Sequence, residues 1–162
     1  MKSIYIVCIE DEYQVLDVLV KDLEPLEEVF PIETASSVPE ARRLINEILD
    51  SGNKIGLVLC DHIMPGEKGV NLLIEMQSRP ETKSARKILV TGQAGLEDTI
   101  KAVNHAQLNH YIAKPWEPTY LLEVARNELT TFVLENEINL LRFMKILNPS
   151  RIQEAIRARG YV

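Results

Sequence analysis

No stretch of this sequence stays apolar long enough to cross a bilayer, and no basic, apolar and small-residue succession marks a leader. Neither membrane insertion nor secretion is expected, and the expected location is the cytoplasm. Cysteine is scarce. Cys8 and Cys60, the two in 162 residues, both sit inside apolar runs, which reads as buried free thiols in a reducing compartment. No Cys/His group has zinc-ligand spacing. Internal repeats and low-complexity segments are missing. Positive charge is also short: 18 Lys and Arg against 24 Asp and Glu leave a net charge of -6, which argues against direct nucleic-acid binding by this chain. The deficit is uneven. Arg142 to Val162 holds five basic residues and one acid, whereas the first 141 residues carry -10.

What is present is a globular composition, 46% hydrophobic and 26% charged, in a length that suits one domain with a short extension. Short apolar runs end repeatedly in polar residues. Ser3 to Ile9 runs into Glu10-Asp11-Glu12, Ile55 to Cys60 into Asp61, Lys87 to Val90 into Thr91-Gly92, and His110 to Ala113 into Lys114-Pro115. Each reads as a buried strand, and Val29 to Glu33 as a further short one. Helical spacing lies between them. Val15, Leu16, Val18, Leu19 and Leu23 share one helix side; Ala41, Leu44, Ile45, Ile48 and Leu49 follow Ser37 as N-cap; Val70 to Met76 and Glu97 to Ala106 are helical; a last helix begins near Glu117. Five βα units predict an α/β fold, a doubly wound five-stranded parallel sheet with helices on both faces.

In such a sheet, ligands bind beyond the carboxyl ends of the strands. Glu10, Asp11, Asp61, Thr91 and Lys114 should therefore meet at one edge. Three clustered carboxylates repel one another unless something cationic joins them. Magnesium prefers oxygen ligands and works with phosphates. Acids with one lysine and one hydroxyl suit phosphoryl transfer: one carboxylate is the nucleophile, cations neutralise the phosphoryl oxygens, and the hydroxyl donates a hydrogen bond. The turn at Met64-Pro65-Gly66 lifts the loop behind Asp61 away, and Gly69 lets the chain enter the next helix.

The chain resembles the receiver domains of two-component response regulators. The likeness runs from about Lys2 to Leu129 and is carried by CIEDE (Cys8 to Glu12), LVLCDHIMPGEKG (Leu57 to Gly69), ILVTG (Ile88 to Gly92) and YIAKPW (Tyr111 to Trp116). It implies the flavodoxin-like strand order 2-1-3-4-5. It makes Asp61 the phosphoacceptor and Asp11 a direct ligand of Mg2+. Glu10 is the acidic neighbour, where the family usually has aspartate, and the backbone carbonyl of Ile63 is a further ligand. Thr91 is the switch hydroxyl, Lys114 pairs with the phosphoryl group, and the Lys114-Pro115 peptide is cis. Tyr111 holds the place of the aromatic that reports switching by its rotamer, with plain core packing as its alternative. Gln93 and the Ile63 side chain lie where the family tunes attack by water. The implied partner is a histidine kinase or histidine phosphotransfer protein, and the implied role is signalling rather than enzymatic turnover.

Other residues read more plainly. His62 is expected as an exposed loop residue, with control of phosphoryl lifetime as the alternative. Glu12 suits a solvated helix start, and His105 and His110 the surface. Trp116 suits packing at the start of the last helix, or partner contact.

The organisation expected is a receiver over residues 1–129 and a helical extension over residues 130–162. From Leu129 to Leu147 there is no Gly or Pro, and Val133, Leu140 and Leu147 recur every seven residues. The last helix is therefore expected to run unbroken from Glu117 to Asn148 and to pair as a coiled-coil homodimer, folding back on the receiver being the alternative. Ser150 offers an N-cap to a short basic helix after it. Two other functions stay open, a constitutive dimeric adaptor of receiver fold and a magnesium-dependent aspartyl phosphatase. The latter commonly carries a second acid two residues after the first, and here that residue is Ile63.

Overall fold

Alternate residues of a strand project to opposite sides, so a strand apolar on both sides must lie between two layers. In the computed structural model, which describes residues 2–92 and 95–160, β1 (Ile4–Ile9), β2 (Ile32–Ala35), β3 (Lys54–Cys60), β4 (Arg86–Thr91) and β5 (His110–Ala113) form one parallel sheet, ordered β2-β1-β3-β4-β5. The crossovers are α1 (Tyr13–Leu23), α2 (Val38–Asp50), α3 (Gly69–Ser78) and α4 (Leu96–His105). Two more helices follow β5, α5 (Pro118–Asn136) and α6 (Pro149–Ala158). The fold expected from the sequence is the fold observed.

Two cores lie on the two sides of the sheet. Ile6, Cys8, Leu57, Leu59, Ile88 and Val90 join the buried side chains of α1 and α5. Their neighbours Val7, Ile9, Val58, Cys60 and Leu89 join those of α2, α3 and α4. Both cysteines are free and buried, and burial pushes the Cys8 thiol up to about 12. Ser37 caps α2 as expected, its hydroxyl accepting from the Glu40 N–H at 3.2 Å. Strand β2 lies slightly later than the sequence reading places it. Phe30 leaves the sheet and stacks on Phe143, with ring centroids 5.8 Å apart.

The extension corrects an expectation. Helix α5 does not continue to Asn148; it stops at Asn136, and Glu137 is extended, at φ -115° and ψ 143°. A 3-10 turn at Leu141–Phe143 and α6 follow, with Asn148 rather than Ser150 as the N-cap of α6. Leu140, Phe143, Leu147, Ile152 and Ile156 are buried in the α1–α5 core. The seven-residue repeat is thus satisfied within the chain, and no continuous helix remains to form the expected coiled coil. The exit from α5 is held by polar groups. The Arg159 guanidinium donates to the carbonyl oxygens of Leu134, Glu137 and Ile138 at 2.7, 2.9 and 3.3 Å, satisfying groups that a helix end leaves open. Lys54 pairs with Glu137 at 2.6 Å, and the Arg126 Nε–H donates to the Ile146 carbonyl at 2.9 Å. Arg151 of the tail also reaches back to α5, its guanidinium donating to the Asn127 carbonyl at 3.2 Å. Among the described residues, no helix is long and apolar enough to cross a membrane.

Candidate functional site

Register brings the strand ends level. Ile9 pairs with Ala35 on one side and Cys60 on the other, and Thr91 pairs with Ala113. The residues just past β1, β3 and β5, together with the last residue of β4, therefore share one edge. The Asp61 N–H donates to the Ile9 carbonyl at 2.9 Å, tying the end of β3 to that of β1. Glu10 is 2% exposed and Asp61 5%, so both carboxylates are nearly removed from water.

Glu10, Asp11 and Asp61 each offer an oxygen within 4.8 Å of the others. Three hard carboxylate oxygens this close fit a small divalent cation such as Mg2+. Lys114 reaches into the same cluster. Its Nζ donates to the Glu10 Oε1 and Oε2 at 3.0 and 2.9 Å and lies 3.3 Å from Asp61 Oδ2. The other Asp61 oxygen, Oδ1, accepts from the His62 backbone N–H at 2.8 Å. Burial pushes the Glu10 carboxyl up to about 7; the Lys114 hydrogen bond opposes the rise, and the charge of Asp61 adds to it. For Lys114, burial works against the charge, but the Glu10 hydrogen bond and the Asp61 charge overcome it and hold the ammonium above its usual value.

Lys114 is aimed by its backbone. The Lys114-Pro115 peptide is cis, as the resemblance implied, and the Lys114 N–H donates to the Thr91 carbonyl at 3.3 Å. Thr91 is buried at the end of β4. The Tyr111 hydroxyl donates to the same Thr91 carbonyl at 3.4 Å, with the residue 38% exposed, so Tyr111 is a half-exposed side chain anchored beside Thr91 rather than core. Ile63 lies in the loop after β3 with an exposed side chain. Gln93 lies outside the described residues. Trp116 packs against the α1–α5 core and donates its indole N–H to Asp22 Oδ2 at 2.8 Å. With Val15, Val18, Lys114 and Pro115 it lines a groove of about 480 Å3.

The placing of His62 is a second correction. It is fully buried, not exposed. Its carbonyl accepts from the Gly69 N–H at 3.0 Å, closing the loop, and Gly69 comes so near that a β-carbon there would collide with the Asp61 carbonyl oxygen. The ring Nε2 lies 2.9 Å from Asp98 Oδ2 on α4. That bond, with the Lys68 ammonium at 3.2 Å, holds the Asp98 carboxyl below its usual range. His62 and Asp98 are 36 residues apart in the chain, and nothing local in the sequence signals the pairing.

Comparison with known proteins agrees with this geometry. Residues 6–126 match the model of the response regulator receiver domain family. The hydrogenase transcriptional regulatory protein HoxA of Cupriavidus necator is 33% identical over 141 residues, covering 86% of this chain and 27% of that one. HoxA of Bradyrhizobium diazoefficiens is 29% identical over 112 residues, 69% of this chain and 22% of that one. The chain thus spans about a quarter of the length of these curated relatives. Among solved structures, a CheY-like response regulator receiver domain protein from Methanospirillum hungatei superposes with a TM-score of 0.71 at 28% identity, over 83% of this chain and 100% of that one. The signal receiver domain of an HD domain-containing protein from Pseudomonas fluorescens shares the fold, with a TM-score of 0.71 at 24% identity over 86% of this chain and 96% of that one. The chain belongs to the response regulator receiver domain family.

Proposed function

We propose that Asp61 accepts a phosphoryl group from the phosphohistidine of a histidine kinase or histidine phosphotransfer protein, and that the acyl phosphate so formed switches a protein-binding surface. The observation that carries this reading is the Lys114 ammonium 3.3 Å from Asp61 Oδ2 inside a cluster of three carboxylates. A carboxylate oxygen of Asp61 attacks phosphorus, the phosphorus–nitrogen bond of the donor breaks, and the imidazole leaves with the electron pair. Water later attacks the same phosphorus, releases inorganic phosphate and restores the carboxylate. Glu10, Asp11, Asp61 and the Ile63 carbonyl would hold Mg2+, which supplies charge neutralisation at the phosphoryl oxygens. Lys114 neutralises a further oxygen, and the Thr91 hydroxyl turns to meet another. Tyr111, bound to the Thr91 carbonyl, follows that movement.

The chain in this reading is a cytoplasmic phosphoprotein and acceptor, not a turnover enzyme. A phosphatase is disfavoured by the apolar, exposed Ile63 at the position of the second acid. A coiled-coil adaptor is disfavoured by the burial of Leu140 and Leu147 in the chain's own core. Direct nucleic-acid binding is disfavoured by the engagement of Arg151 and Arg159 with backbone carbonyls of α5 and the turn after it. The HoxA relatives are named as transcriptional regulators, and control of transcription through a further domain or partner is the corresponding proposal here.

The test is exposure to acetyl phosphate and, separately, to beryllofluoride, each with Mg2+. Intact mass should show one phosphoryl group on the wild-type chain and none on Asp61→Asn. Trp116 fluorescence should respond to beryllofluoride only when Asp61 is present. Failure of both reagents on the wild-type chain would sink the reading.

A further inference from the structure

We propose that His62 is a positioning residue that ties α4 to the phosphoacceptor loop, so that a change at Asp61 reaches α4 through a side-chain bond. The inference rests on the phosphoacceptor reading above and extends it to a residue whose side chain takes no part in the cluster of Glu10, Asp11, Asp61 and Lys114.

Every polar atom of His62 is engaged. Its backbone N–H donates to Asp61 Oδ1 at 2.8 Å, and its carbonyl accepts from Gly69 at 3.0 Å. Ring Nδ1 accepts from the Val70 N–H at 3.4 Å, at the start of α3. With Nδ1 accepting, the ring hydrogen is on Nε2, which donates to Asp98 Oδ2 at 2.9 Å. A neutral imidazole is enough for this arrangement. A histidine serving only to fill space would leave the ring nitrogens without this aligned pair of partners, and an apolar ring would pack as well.

Among the described side chains of helix α4, few are buried. Its buried apolar side chain among those described is Ala102, with Ala106 just past its end, while Ile100 and Val103 are each 50% exposed. Alanine buries little area, so a hydrogen bond to a charged acceptor is a large share of what fixes this helix. Elements with few buried contacts are those that shift. A ligand moves such an element only if it changes the contacts in one of its states. Phosphorylating an Asp61 oxygen does so, because the His62 N–H is bonded to that carboxylate and the same residue holds Asp98 through its ring.

The experiment compares wild-type protein with Asp98→Ala, Asp98→Asn and Lys68→Ala. Hydrogen–deuterium exchange of the α4 peptide is read with and without beryllofluoride and Mg2+. Asp98 and Lys68 lie on the surface, so the fold should persist, and circular dichroism checks it. The asparagine variant still accepts from Nε2–H, whereas the alanine variant does not. Lys68→Ala removes the other partner of Asp98. We expect Asp98→Ala to exchange about tenfold faster in α4 without ligand, the size of one lost hydrogen bond to a charged group. It should also lose most of the beryllofluoride effect there while still binding the reagent. Asp98→Asn and Lys68→Ala should respond like wild type. An α4 response in Asp98→Ala equal to wild type would overturn the proposal, and so would loss of the response in Lys68→Ala or Asp98→Asn, since charge would then be the carrier. Wild-type protein that fails to bind beryllofluoride would overturn the phosphoacceptor reading and this coupling together.

Discussion

Lys114 grips both carboxylate oxygens of Glu10, at 2.9 and 3.0 Å, and stands farther from Asp61, at 3.3 Å. The lysine that should meet a phosphoryl group is thus held by the acid that should help bind the cation. Glu10 has two tasks, and its buried charge is costly: a carboxyl at about 7 is one whose ionised form the fold disfavours. Between the ordinary value of 4.5 and about 7, the folded chain keeps a proton that the unfolded chain has released. This group's contribution to stability is therefore full below that window and lost as pH rises through it. Glu10→Gln keeps one acceptor for Lys114 and removes the charge. At pH above that window and without Mg2+, its melting temperature should rise by ~2–4 °C, read by differential scanning calorimetry. Its Mg2+ affinity should fall by about tenfold or more, read by titrating Trp116 fluorescence. A lower melting temperature with unchanged Mg2+ affinity would show that Glu10 serves the fold alone.

The loop behind Asp61 depends on a residue without a side chain. A β-carbon at Gly69 would overlap the Asp61 carbonyl oxygen and lie 2.7 Å from Cys60 Sγ. The first of these is backbone at the end of β3 and has no rotamer to give. Gly69→Ala should therefore cost at least about 2 kcal/mol in urea unfolding. It should also slow phosphorylation by acetyl phosphate, because the displaced atoms carry the acceptor. Gly52→Ala, at φ +83° with open space around its β-carbon, should leave phosphorylation untouched and cost only the backbone strain of a side chain at positive φ, about 1 kcal/mol.

The strand-end residues were legible in the sequence because each is the polar stop of an apolar run, and parallel topology sends such stops to one edge. Glu10, Asp11, Asp61, Thr91 and Lys114 needed nothing more. The break after Asn136 was not legible. Neither Asn136 nor Glu137 is a strong helix breaker, and the repeat of Val133, Leu140 and Leu147 suits burial in a second copy or in the chain's own core equally well. Tertiary packing decides, through Phe143 against Phe30 and Arg159 on the last carbonyls of α5. His62 was misread for the same reason: its burial is set by Asp98 and Val70, partners that a scan of neighbouring residues does not reach.

That packing makes the extension testable residue by residue. Leu147 is 1% exposed and Leu141 68%. In a coiled coil Leu147 would lie in the seam and Leu141 beside it against the partner helix, and truncating either would weaken the pairing. In the observed fold, Leu147→Ala should cost ~2–5 kcal/mol, and Phe143→Ala, which loses the stack on Phe30, ~3–5 kcal/mol. Leu141→Ser should change stability by less than about 0.5 kcal/mol. Urea unfolding of the three variants distinguishes the arrangements, and a Leu141→Ser loss as large as that of Leu147→Ala would reinstate the paired helix.

Away from the site, Lys87 gives the fold an alkaline signature. The side chain is 1% exposed, and its ammonium donates to Gln77 Oε1, the Lys83 carbonyl and the Ala85 carbonyl at 3.0, 3.3 and 2.9 Å. Those three acceptors are uncharged. Burial lowers the ammonium to about 8, and the nearby charge of Arg86 adds to the fall. Below that value the folded and unfolded chains both carry the proton, and the fold bears the full cost of the buried charge. Between about 8 and the ordinary 10.5, the unfolded chain still binds a proton that the folded chain has released. Stability from this group therefore increases with pH across that window. Lys87→Met removes the titration and keeps an unbranched apolar stem. The stability of wild type relative to Lys87→Met, from urea unfolding at a series of pH values, should climb by about 3 kcal/mol between neutral pH and the top of the window. A difference that stays flat would mean that the three acceptors hold the proton on Lys87 as firmly as water does.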